Sequence, residues 1–104
     1  MWNEPTPEQL SKLPRLYQTK NIPLKDKPIH FHFFIGGCDW FISEYDGEDL
    51  FFGYAIIGDS RFGEWGYISF EELKRIKVPP GIEVDCEFFD PPLKASEIEE
   101  IRIL

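Results

Sequence analysis

The chain has 104 residues, of which 42% are hydrophobic and 16% aromatic, and it carries a formal charge of −8. That length holds one domain and leaves no room for a second core, and ten Phe, four Tyr and three Trp supply enough large apolar surface to fold it without a metal or a disulfide. No apolar run approaches the roughly 18 residues needed to cross a bilayer, and an acidic surface repels phosphate backbones, which disfavours direct nucleic-acid binding.

The charge is uneven. Residues 1–28 hold Lys12, Arg15, Lys20, Lys25 and Lys27 against Glu4, Glu8 and Asp26, a balance of +2 that leaves −10 on the rest. Cys38 and Cys86 lie far apart with no CxxC unit or zinc-ligand spacing, and the opening MWNEPTPEQL lacks the basic-then-apolar pattern of a secretory leader. These features predict a cytoplasmic protein with two buried thiols and no cofactor.

In chain order, TPEQLSKL predicts a short helix: Thr6 as N-cap, Pro7 at the first helical position, Gln9 three residues after the cap, and Pro14 as its stop. Residues 18–28 contain Pro23, Pro28 and several lysines and read as an extended arm. The period then changes to two. Residues 29–35, IHFHFFI, place Ile29, Phe31, Phe33 and Ile35 on one face and His30, His32 and Phe34 on the other. Gly36-Gly37 is a hairpin turn, WFISEY (40–45) the next strand, and DGED (46–49) the next turn. FFGYAII (51–57) shows little alternation, as expected of a central strand covered on both faces. After the loop GDSRFGE comes a short aromatic strand, WGYISF (65–70).

Ser69 with Glu72 predicts a second capping box, Leu73 and Ile76 give that helix a short apolar face, and VPPG at 78–81 ends it. IEVDCEF (82–88) is a fifth strand, broken by FDPP. Ser96 and Glu99 cap a last segment that reads equally as helix or strand over 97–104. The sum is an α+β single domain, residues 1–104: an N-terminal helix and arm (1–28), an antiparallel sheet core (29–70), and a helix, strand and C-terminal segment (71–104). The sheet is a four- or five-stranded meander with two or three short helices.

Three groups of residues carry candidate chemistry. His30 and His32, at i and i+2 in a strand, point to one side and could share a metal if a third ligand were present. With a two- or four-residue turn at Gly36-Gly37, they face Phe41, Ser43 and Tyr45, while Glu44 faces away, which leaves Asp39, at the turn, as the nearest acidic partner. The bland reading is a half-exposed pair bonded to Ser43 or Tyr45. The second group is acidic: Asp46, Glu48 and Asp49, with Asp39, Glu44, Asp59 and Glu64, fall in or near turns, where solvated carboxylates belong in any case. The third is aromatic: Trp40, Tyr45, Trp65 and Tyr67, with Phe41, Phe51, Phe52, Tyr54 and Phe62, exceed what one small core hides, and some are expected on an exposed rim suited to protein contacts.

The segments HFFIGGCDW, EYDGED and EWGYISF, within a run that continues to the closing KASEI, resemble one family of small bacterial proteins found on plasmids and other mobile elements, catalogued as a domain of unknown function (DUF 2958). The departure is FFDPP at 88–92, where the family carries a longer polar-aromatic stretch. The resemblance implies a mobile-element accessory protein and supplies no catalytic residues.

Two functional expectations follow. One is a non-enzymatic acidic module that binds a protein partner or itself through Trp40, Tyr45, Asp46, Glu48, Asp49, Trp65 and Tyr67; in one version it inhibits host defence by imitating DNA phosphates. The other is a small metal-assisted hydrolase or nuclease using His30 and His32 with Asp39.

Overall fold

The structure is a computed structural model that describes all of residues 1–104. Five antiparallel strands form one sheet in the order β4-β3-β2-β1-β7: β1 (Pro28–Ile35), β2 (Cys38–Tyr45), β3 (Leu50–Ile57), β4 (Glu64–Ser69) and β7 (Asp85–Lys94). The first four make the expected meander, and β7 returns to pair with β1. A separate two-stranded ribbon, β5 (Lys77–Val78) with β6 (Ile82–Glu83), turns through Pro79-Pro80-Gly81. Two helices complete the α+β fold, α1 (Pro7–Ser11) and α2 (Phe70–Arg75).

Local chemistry explains the helix ends. Thr6 and Gln9 form a reciprocal capping box, with Thr6 Oγ1 accepting from the Gln9 N–H at 3.1 Å and Gln9 Oε1 accepting from the Thr6 N–H at 3.0 Å. Ser69 accepts from the Glu72 N–H at 3.2 Å and starts α2. That helix ends at Arg75, before the VPPG segment, which instead builds the turn of the small ribbon.

Adjacent residues along the strands alternate between two hydrophobic clusters, one on each face of the sheet. Phe31, Phe33, Trp40, Ile42, Tyr45 and Phe51 pack with Leu13, Phe70 and Leu73 on the helical side. Phe41, Tyr54 and Ile56 pack with Ala95, Ile98 and Ile101 on the other. The C-terminal segment is therefore a lid for the second cluster. It is neither of the two forms expected: a single 3-10 turn at Ala95–Glu97 is followed by irregular chain. Ile98 and Ile101, three apart, hold it down, and each donates its N–H to the carbonyl three residues before it. The N-terminal arm is also not extended. It turns at residues 16–21, makes a 3-10 turn at Leu24–Asp26, and buries Thr19 and Lys27.

Two irregularities break the strand alternation. In β2 the register against β3 shifts between Ile42↔Gly53 and Glu44↔Phe52, which makes Ser43 a bulge residue. Against β7, β1 passes from Ile29↔Leu93 to Phe31↔Phe88, so that His30 on one strand faces Phe89, Asp90, Pro91 and Pro92 on the other. The FDPP segment does not break the strand; it bulges out of it, as it must, because proline has no N–H for the ladder. Ile29 consequently packs in the second cluster while Phe31 packs in the first, correcting the expectation that both share a face.

The β2 bulge sits opposite Gly53, where an added Cβ would collide with the Phe41 carbonyl oxygen and stand 3.1 Å from Ile42 Cα. Both obstacles are backbone and cannot swing aside. Replacing Gly53 with Ala should lower stability by about 2 kcal/mol or more, seen as a reduced midpoint in urea unfolding with an unchanged slope.

Candidate functional site

The bulge at Ser43 reverses the faces predicted for the end of β2. Tyr45 joins the helical-side core, 5.0 Å from Phe51 between ring centroids, and not the histidine side. Glu44, expected to face away, pairs across from Phe52 and lies 3% exposed beneath the N-terminal arm. Its Oε1 accepts from the Tyr17 N–H and its Oε2 from the Thr19 N–H, both at 2.9 Å, and Oε2 also accepts from the Thr19 hydroxyl. Lys27, also buried, donates to the Thr19 carbonyl at 2.6 Å and to the Thr19 hydroxyl at 3.0 Å. Thr19 therefore bridges a buried carboxylate and a buried ammonium. Such a pair survives burial only when its hydrogen-bonding capacity is met, as it largely is here.

Above this group lies a cavity of about 220 Å³ lined by Tyr17, Lys20, Lys27, Glu44, Phe52 and Tyr67. Tyr17 takes a left-handed backbone, φ 72°, uncommon for a residue with a side chain and held by the bond from its N–H to Glu44. Tyr67 donates to the Tyr17 hydroxyl at 3.0 Å, and this bond, with some desolvation, raises the Tyr67 pKa above the ordinary phenol value. Phe52 stacks on Trp65 at 5.9 Å, and Trp65 Nε1 donates to the Ile103 carbonyl at 2.7 Å. Tyr67 and Trp65 were both expected in a binding surface; Tyr17, Lys20, Lys27 and Thr19 were not singled out, and no local pattern marks them.

The histidines do not act together. His32 stacks on Phe41 at 4.4 Å and is gripped at both nitrogens, Nε2 by Asp39 at 2.7 Å and Nδ1 by Glu87 at 2.8 Å. Asp39, anticipated as a third ligand, thus occupies the ring nitrogen a metal would need. His30 lies buried with Nε2 unpartnered. Burial pushes its pKa down, offset in part by the negative charge of Asp90. Neither ring lines any of the three cavities in the molecule, and no three His, Cys, Asp or Glu side chains converge on one point.

The remaining predicted residues have structural work. Asp46 accepts from the N–H groups of Glu48, Asp49 and Leu50 at 2.7, 2.8 and 3.0 Å. Desolvation would raise its pKa, but those three bonds win and lower it. Asp49 accepts from the Glu71 N–H and the Ser69 hydroxyl, both at 2.7 Å, tying the β2–β3 turn to the start of α2. Glu48 is exposed. Trp40 is buried in the helical-side core and also walls an apolar groove of about 510 Å³ with Ile35, Cys38, Ile57, Val78 and Ile82. Cys38 is only half-buried, unlike Cys86, whose thiol burial pushes up to about 12.

No protein-family model, no curated protein and no solved structure matches this chain.

Removing the Glu44 carboxylate strands three donors and leaves Lys27 without its counter-charge. Glu44→Ala should therefore cost about 3 kcal/mol or more in urea unfolding, and amide hydrogen exchange should show residues 16–27 losing protection before the strands do. His30 gives a separate pH signature. The unfolded chain protonates it near the ordinary value of 6.5 and the folded chain only at lower pH. Below that point the unfolded state holds the extra proton, so stability falls as pH drops, until the folded pKa is also passed. Unfolding midpoints measured between neutral and mildly acidic pH should fall less steeply in His30→Gln than in the natural chain.

Proposed function

We propose that this protein is a non-enzymatic recognition module that docks on a protein partner through the aromatic surface centred on Tyr17 and Tyr67. The observation that carries the reading is the pair itself. Both rings stand well exposed, Tyr17 at 62% and Tyr67 at 54%, yet they are bonded to each other, and a buried carboxylate holds the Tyr17 backbone in place. Rigid, amphipathic rings offer large contact area at small entropic cost, which is why tyrosine and tryptophan dominate interface energetics. Phe52 and Trp65 extend the surface along β3 and β4.

In this reading the protein is a cytoplasmic accessory protein of a bacterial mobile element, a setting supported by the resemblance of HFFIGGCDW, EYDGED and EWGYISF. Inhibition by DNA mimicry has weaker support. Asp46, Glu48 and Asp49 lie at one end of β2 and Asp39 at the other, so the carboxylates form no single strip. Several are also spent inside the fold, on His32, on the α2 start and on the N-terminal arm. The hydrolase reading is weaker too, because both His32 nitrogens are engaged and His30 lies apart from them.

The test is affinity capture with the natural chain as bait, followed by calorimetry on the purified partner. The double variant Tyr17→Ala/Tyr67→Ala should bind that partner about tenfold or more weakly while keeping its circular dichroism spectrum. Unchanged affinity in a folded double variant would show that another surface is used.

A further inference from the structure

Hydrogen-bonding capacity in the cavity under the tyrosine pair is one-sided. Both Glu44 oxygens already receive donors from the arm, three in all. Lys27 spends only two of its three ammonium N–H groups, both on Thr19, and its Nζ stands 5.8 Å from the centre of the Phe52 ring. Lys20 adds an exposed ammonium to the lining. Tyr67 and Tyr17 share one hydrogen bond between two hydroxyls, so one of their two O–H groups keeps a free hydrogen. What is left over is therefore a set of donors, two of them on cations, beside a carboxylate already satisfied from below. A cationic ligand would compete with three existing donors for Glu44. An oxyanion would complete the open groups.

We infer that this cavity binds an oxyanion, a carboxylate or phosphate group carried on a small flat apolar body. The oxyanion sits on Lys27 and Lys20, and the body lies against Phe52 and Tyr67. At about 220 Å³ the cavity is smaller than the about 300–1,000 Å³ common for small-molecule sites, which limits the ligand to a single small ring with its oxyanion and excludes a whole cofactor. The charge of −8 does not oppose it locally, since both lysines come from residues 1–28, the stretch that carries +2. The inference rests on the recognition reading, because the same two tyrosines frame the cavity, but its test needs no partner.

The experiment is a ¹H–¹⁵N NMR titration of the full chain, at constant ionic strength, with benzoate, phenyl phosphate and inorganic phosphate in separate arms. The expected result is saturable shifts at the Tyr17 and Thr19 amides with an aryl ligand, at dissociation constants on the order of 1 mM, and a weaker response to inorganic phosphate. The stronger of the two aryl ligands identifies the preferred oxyanion. Lys20→Ala, an exposed change that leaves the core untouched, should weaken binding about threefold. Lys27→Met should abolish it, with circular dichroism as the check on folding. Silence at Tyr17 and Thr19, indifference to Lys20→Ala, or an inorganic phosphate response as strong as the aryl one overturns the inference. A silent titration combined with partner loss in the double tyrosine variant removes the oxyanion site alone; binding of the aryl ligand with no effect of that variant on the partner removes the docking reading instead.

Discussion

The buried carboxylate of Glu44 is the interaction on which the arrangement of this small domain turns. An ionised group taken out of water costs several kcal/mol unless its lone pairs are met, and here they are met by the backbone and hydroxyl of residues 17–19. The need for donors pulls the N-terminal arm onto the sheet, forces Tyr17 into a left-handed backbone, and brings Lys27 in as the balancing charge through Thr19. All of this follows from one extra residue in a strand. With regular alternation, Glu44 would point into the helical-side core among Phe33, Ile42 and Phe51, where no donors wait.

The other polar groups of the sheet show the same economy. His32 sits between two strands and bonds to a carboxylate from each, Asp39 of β2 and Glu87 of β7, so it ties the edge strand β7 to the middle of the sheet. Asp49 joins a turn to a helix start, and Asp46 closes its own turn. Groups that resemble chemistry when read singly are thus committed to holding secondary structure together. The tyrosine-framed cavity differs because its donors outnumber its acceptors.

How much of this was legible beforehand depended on the range of the signal. Features set by two or three neighbouring residues could be read: the Thr6–Gln9 capping box, the Gly36-Gly37 turn that places Ile35 opposite Cys38, and the Ser69 cap; the central strand covered on both faces is β2, buried throughout 40–45, and not 51–57, where burial partly alternates. Bulges could not, because a single-residue slip changes no composition and flips every side chain beyond it. That effect explains the misplaced faces of Glu44 and Tyr45, whereas Ile29 changes face at the larger mismatch where His30 alone stands opposite four residues of β7. The C-terminal segment takes neither helix nor strand for a related reason: Ile98 and Ile101 carry a helical spacing, but their burial under the sheet needs only one turn and then open chain. Lys27 and Thr19 were invisible because their importance comes from a partner 17 or more residues away, brought near by the fold alone.

The prolines of β7 have a consequence for assembly. A sheet with two usable rims can grow without limit as copies add on either side. In this molecule the β7 rim is interrupted at Phe89 to Pro92, four residues that stand opposite His30 alone, while β4 at the opposite rim runs in unbroken register from Glu64 to Ser69. The sheet thus has one continuous backbone rim and one broken rim, and not two equivalent ones.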